Sequence, residues 1–179
     1  RNIFSFRWTN EEREAIGLYE IVIDNSNKKD EKYYTNTNQS FNFADGVATA
    51  SFGTATAKLL EDRNEVDEAG EPLLDNKGNQ VVTKGLKTEH KDIIKRQAAG
   101  ILQDTDWYVT RKSDAGTAIP SAVSTHRAAV RTKSNEMETA IDNAADVDAL
   151  AALYEYVNTG TEENPVMERP LGEFPILEV

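Results

Sequence analysis

The chain has no cysteine among its 179 residues. That absence removes disulfides, thiol nucleophiles and cysteine metal ligands together, and it fits a reducing compartment. Histidine is almost as scarce, with two copies, His90 and His126, on different expected helices. Two histidines without cysteine make a poor zinc site. No apolar run approaches the roughly 20 residues that span a bilayer. Excess positive charge is missing too: 20 Lys and Arg stand against 31 Asp and Glu, a net charge of -11. An acidic surface repels phosphate backbones and anionic lipid, so neither nucleic acid nor a membrane is an expected partner, and a protein is. There is no initiator Met; the chain opens on Arg1 with RNIFSFRW, too short for a signal peptide. The expectation is a processed or trimmed chain with further sequence ahead of it.

What is present reads as an α+β protein. Residues 1–8 alternate apolar and polar, an extended arm or short strand. Thr9 and Glu12 form a capping box, with Trp8 placed to staple onto the first turn and Gly17 to stop a short helix. Leu18 to Ile23 is a short β-prone run, and residues 24–32 are a solvated loop. Two runs rich in Thr, Tyr, Phe and Val flank Ala44-Asp45-Gly46, which predicts a hairpin of 33–43 against 47–59. Phe41 and Phe43 share one face of it, as do Val47, Thr49 and Ser51. Such a hairpin needs another element or chain to cover it. Two similar turn phrases, at Asp67–Gly70 and Asp75–Gly78, then suggest an exposed β-arm or a flexible insert.

Residues 86–103 follow a helical period, with Leu86, His90, Ile93, Ile94, Gln97, Ala98, Ile101 and Leu102 inward. Lys87, Glu89, Lys91, Asp92, Lys95 and Arg96 lie outward, and Asp92 is spaced to pair with Arg96. Gly100 is expected to loosen the last turn or admit a neighbour. Thr105 is placed to cap a helix ending at Gly116, with Trp107 as the buried plug of the corner. Pro120 starts another helix to about Asn143, whose inward stripe is Val123, His126, Val130, Ser134, Met137 and Ile141, with Arg127 and Ala129 beside it. Asp146 is expected to cap a last helix bearing Val147, Leu150, Tyr154 and Val157, stopped by Gly160. The resulting organisation is a β-hairpin-rich segment at 1–85 with a short N-terminal helix, an antiparallel helical hairpin or bundle at 86–158, and an extended proline-containing tail at 159–179. The tail carries Phe174, Ile176 and Leu177.

Catalytic patterns fail on count or context. Ser121, His126 and Asp114 lack the strand–elbow–helix setting and the Gly-x-Ser-x-Gly of a hydrolase triad. An EF-hand loop begun at Asp75 puts Lys77 at its third position, and one begun at Asp67 puts Ala69 there, so calcium is not expected. Carboxylate pairs are inevitable among so many acids and point nowhere. No cofactor, metal or catalytic residue is expected, and the chain is read as a non-enzyme.

A resemblance is carried by Leu102, Thr105, Asp106 and Trp107, an L-x-x-T-D-W corner, followed by His126-Arg127-Ala128-Ala129-Val130-Arg131. The front, Trp8-Thr9 through Gly17-Leu18, joins it loosely. These stretches resemble phage tail or tail-fibre assembly chaperone-like proteins, similar to small virion structural proteins of cyanobacterial phages. The likeness covers about 83–157, and His126 stands where that family more often has Tyr. It implies tail or tail-fibre polypeptides as partners, a possible homo-oligomer, and a place in the virion tail or the host cytoplasm during assembly. The residues expected for protein contact or for the structural corner are Trp107, Tyr108, Arg111, Arg127 and Arg131, together with the apolar tail residues Phe174, Ile176 and Leu177. A receptor- or carbohydrate-binding tail module, or one that acts on carbohydrate, is the alternative.

Overall fold

The computed structural model describes residues 8–37 and 39–177. The expected arm at 1–8 falls almost wholly outside them. The fold is α+β, with a β-rich region followed by helices. It divides into two compact units, Arg1–Ala57 and Lys58–Val179.

In the first unit, helix α1 (Asn10–Glu14) opens on the expected capping box: Thr9 Oγ1 accepts the Glu12 amide at 3.2 Å, and Glu12 returns a carboxylate oxygen to the Thr9 amide at 2.9 Å. Gly17 ends it in left-handed backbone. Strand β1 (Ile21–Asp24) follows, then the polar loop, β2 (Tyr34–Thr35), β3 (Ser40–Ala44), β4 (Val47–Ser51) and β5 (Thr56–Ala57). The hairpin of β3 and β4 turns at Asp45-Gly46, both with positive φ. Asp-Gly supplies the φ that a two-residue hairpin turn demands. The pairing of β2 with β5 keeps the register of β3 with β4, so the two ladders are one hairpin interrupted in its middle. The sequence did not indicate that β1 joins β4 in parallel, giving a sheet of order β1-β4-β3 with β4 central.

The second unit begins by capping its own main helix. β6 (Arg63–Asn64) and β7 (Val82–Thr83) pair at the base of the arm. The arm is an eight-residue repeat closed on itself. Leu73 donates its amide to the Glu65 carbonyl, Val81 to that of Leu73, and Glu65 to that of Val81, each at 2.8–2.9 Å. Gln80 Nε2 reaches all three carbonyls at 2.7, 3.2 and 3.0 Å. Asp67 and Asp75 each take two amides of their own loops. Beside the arm's base, Gly85 fits because the backbone of Leu60 and Glu61 lies where a Cβ would stand, 2.4 Å from the Glu61 carbonyl carbon. Its amide donates to Asp62 Oδ1 at 2.8 Å.

Helix α2 (Leu86–Gln103) has its first two amides satisfied by the carbonyls of Leu59 and Leu60. Helices α3 (Asp106–Ala115), α4 (Ser121–Asp142) and α5 (Val147–Ala152) follow, then β8 (Val157–Asn158) paired with β9 (Met167–Glu168). Among the described residues no helix is long and apolar enough to cross a membrane. The buried set of α4 is the expected stripe together with Arg127. It packs on Leu86, His90, Ile94 and Ala98 of α2. Ile141, Ala144, Val147, Leu150 and Leu171 extend this core, and each fully buried aliphatic side chain contributes roughly 1.5–3 kcal/mol. The two helices run in opposite directions. Lys87 at the start of α2 bonds Glu61 and the Asp142 carbonyl at the end of α4, Lys91 meets Asp142 at 2.6 Å, and Lys95 meets Glu138 at 3.3 Å.

Several expectations are corrected. Lys87 is buried, not outward, because its ammonium fills a gap at the helix ends between a carboxylate and a carbonyl. Asp92 takes Lys84 at 2.6 Å as its ion-pair partner in place of Arg96. Gln97 and Ile93 are exposed, since the narrow contact with α4 uses every fourth residue of α2. The last helix stops at Ala152, so Tyr154 and Val157 lie beyond it. Tyr154 packs edge-on against His90, with ring centroids 4.8 Å apart. Gly160 stops no helix: it sits in the β8–β9 hairpin, where a Cβ would meet the Asn164 carbonyl at 2.3 Å. This segment therefore folds back on itself, and it is pinned by buried Leu171, whose amide donates to the Leu153 carbonyl at 3.0 Å.

Gly100 has open space where a Cβ would stand, so no neighbour uses the gap. Gly100→Ala should raise stability by about 0.5–1 kcal/mol in urea unfolding, through helix propensity alone. The Asp62 carboxyl is held below its ordinary value of 3.8, first by the Gly85 amide and then by the Thr88 hydroxyl. A lowered folded value means stability fully present above the unfolded value and lost as pH falls through the folded one. Acid titration of Asp62→Asn should show a shallower loss of stability below about pH 4 than the parent chain.

Candidate protein-interaction surfaces

The corner between α2 and α3 is built around Arg127. Its guanidinium enters from α4 and donates to the Leu102 carbonyl at 2.7 Å and to Thr105 Oγ1 at 2.6 Å. Its other terminal nitrogen pairs with Asp106 Oδ1 at 2.8 Å. Thr105 is buried, and its hydroxyl donates to the Leu102 carbonyl at 3.0 Å. That hydroxyl is thus committed to the corner and makes no cap bond to α3, correcting the expected cap. Leu102, Thr105, Asp106 and Arg127, all drawn from the two stretches singled out in the sequence, meet at one point. Arg131, one turn on, is exposed and reaches back to the Arg127 carbonyl at 3.3 Å.

Because Arg127 fills the corner, Trp107 does not. Its expected burial is overturned: Trp107 is 51% exposed, and no residue of α3 is buried. The indole lies against the Tyr108 ring with centroids 3.9 Å apart and planes tilted by 33°. Arg111, one turn along, sets its guanidinium carbon 4.6 Å from the Trp107 centroid and 5.4 Å from that of Tyr108. Stacking of this kind holds a cation over two rings and restricts all three side chains before any partner arrives. Val109 is exposed beside them.

The tail residues are brought near a different part of α4. Pro175, Ile176 and Leu177 line a shallow groove of about 450 Å³ with Ser121, Thr125 and His126. Ile176 is 87% exposed, whereas Phe174 and Leu177 are half-buried. His126 is buried, and its Nδ1 has no hydrogen-bond partner among the described residues. Two further depressions, of about 490 and 400 Å³, run along the outer side of α4 and are similarly open. The first groove gathers the hydroxyls of Ser121 and Thr125 with the His126 imidazole, and Asp114 is not among its lining residues. Among the described residues no group of three or more His, Cys, Asp or Glu is placed to hold a metal. The chain matches no family model, no curated protein and no solved structure.

The sequence did not single out Lys87 or the Gln80 hub. Lys87 was hidden because lysine on a helix is ordinarily solvated. The signal for the hub was the eight-residue spacing of Asp67 with Asp75 and Gly70 with Gly78, visible as similarity but not as closure.

Arg127→Met should lower stability by about 2–3 kcal/mol, since the buried Thr105 hydroxyl and the half-buried Leu102 carbonyl lose a charged donor while half-exposed Asp106 turns to water. Arg127→Lys should restore little of it, because an ammonium cannot span three acceptors. Trp107→Ala should cost under about 1 kcal/mol, as expected of an exposed side chain. Chemical denaturation of the three variants side by side reads out this order.

Proposed function

We propose that the protein is a non-enzymatic, tail-associated bacteriophage protein that binds tail or tail-fibre polypeptides, as a virion component or adaptor or as an assembly chaperone. The observation that carries the protein-binding part is the stacked cluster of exposed Trp107 with half-buried Tyr108 and Arg111, on a helix with no buried residue. These three residue types dominate binding hot spots, and rigid, pre-stacked side chains lose little entropy on docking. The phage setting rests on the resemblance of residues 83–157. In this reading the helical hairpin is the scaffold, and the tail from residue 159 onward offers a second contact through Ile176. The protein works in the virion tail or, during assembly, in the host cytoplasm, and self-association is compatible with either.

A receptor- or carbohydrate-binding module is the second reading, and the half-exposed indole of Trp107 favours it, an apolar ring with a polar N–H edge at the surface. Affinity capture with the full chain from lysate of infected cells, read by quantitative mass spectrometry, separates the two. Wild type should recover a tail or fibre polypeptide, and Trp107→Ala should recover at least tenfold less, about 1.4 kcal/mol in binding, with its melting temperature lowered by no more than about 4 °C. A fixed ratio to tail protein in purified particles assigns a virion component, and absence from them assigns the chaperone. Saturable quenching of tryptophan fluorescence by host surface glycans, without any captured tail polypeptide, would overturn the first reading in favour of the second.

A further inference from the structure

The first unit leaves its apolar side chains outside. Among its described residues the buried apolar ones are Tyr33, Tyr34 and Ala50. The register places the rest. Ile21 pairs across to Ala48 and Ile23 to Ala50, while Phe43 pairs to Ala48 and Phe41 to Ala50. Residues paired across a ladder share a face. One face of the sheet therefore carries Ile21 and Ile23 on β1, Ala48 and Ala50 on β4, and Phe41 and Phe43 on β3. The isoleucines and phenylalanines are 51–69% exposed. Tyr19 joins them, its ring centroid 4.6 Å from that of Phe43. Asp24, the one ionisable residue in the three strands, lies on the other face, opposite Ser51.

We infer that this face is where two copies of the chain pair, sheet against sheet, about a two-fold axis. Shape is the first argument. Strands are about 4.8 Å apart, so the Ile and Phe rows form two ridges about 10 Å apart with a floor of alanine between them. Ala50 is buried although it has no bulk, because its taller neighbours shade it. A phenylalanine ridge of one copy fits the alanine furrow of the other, and a two-fold axis makes the fit reciprocal. Charge is the second argument. Two chains of net charge -11 repel one another over most of their surfaces, and an uncharged face lets them approach. Area is the third. Five large side chains, each about half exposed, offer roughly 500 Å² per copy. Pairing then buries about 1,000 Å², the lower bound for a specific interface. A sheet this small also needs its apolar face covered to be stable. The inference uses no residue of α3 and stands apart from the tail-binding reading.

Sedimentation velocity of the full chain over a wide concentration range tests it. Wild type should run at the mass of two copies. Phe41→Glu should run at the mass of one, with unchanged far-UV circular dichroism. Asn42→Glu, one residue along on the opposite face, should remain at two. If Phe41→Glu loses its dichroism, Phe41→Thr takes its place and should weaken self-association at least tenfold. Wild type at one copy throughout would overturn the inference and give the face to another occupant, a partner polypeptide or the chain's own second unit. A three- or six-copy mass would overturn the two-fold pairing, as would folded Phe41 variants that stay at two copies.

Discussion

One guanidinium holds the helical unit's corner together. Where α2 ends, the carbonyl of Leu102 accepts from the Thr105 amide and hydroxyl at 3.1 and 3.0 Å, which turns the chain sharply into α3. Arg127 adds a charged donor from α4 to that carbonyl, and the same group fixes the Thr105 hydroxyl and the Asp106 carboxylate. Three helices are thus referred to one cation. The direction of α3 is set at its root, so the rest of α3 need not be buried to be held. That freedom leaves its aromatic residues at the surface.

The two units solve burial in opposite ways. The second draws Leu86, Ile94, Val130, Met137, Ile141 and Leu150 into a common interior and ties the helix ends with a row of lysines to acids. Most of those outer ion pairs are solvated and worth little individually, so packing carries the stability and the charges fix the register. The first unit spends its backbone on a well-specified ladder, with the Asp45-Gly46 turn setting the pairing, but it has little to put behind the sheet. Its order comes from hydrogen bonds and its apolar side chains remain available.

What the sequence revealed followed period and local chemistry. The α4 stripe from Val123 to Ile141 was legible because 22 residues repeat one helical period. The capping box at Thr9 and the turn at Asp45-Gly46 were legible because both are local. Trp107 was misread for a tertiary reason: an aromatic just after a helix start ordinarily plugs a corner, but here an arginine 20 residues downstream already occupied it. Val157 fitted the helical period of α5 by coincidence, and a strand pairing with Glu168 overrode it. The parallel partnership of β1 with β4 had no local signal, since a short apolar run does not name its partner. The surface aromatics of α3 and the exposed sheet face were visible as residues but not as surfaces, because exposure depends on what fails to cover them.

The arm at 63–83 departs from and returns to one place. β6 and β7 lie side by side, and the backbone at Leu60 and Glu61 touches Gly85 where the main helix begins. The three-sided closure at Glu65, Leu73 and Val81 is completed inside the arm itself, with Gln80 as its internal brace. The helical core therefore sees only the two ends of this segment. Such a segment is a cassette. It can be exchanged for another of different length or composition, and the fold that carries it keeps its own hydrogen bonds and its own interior.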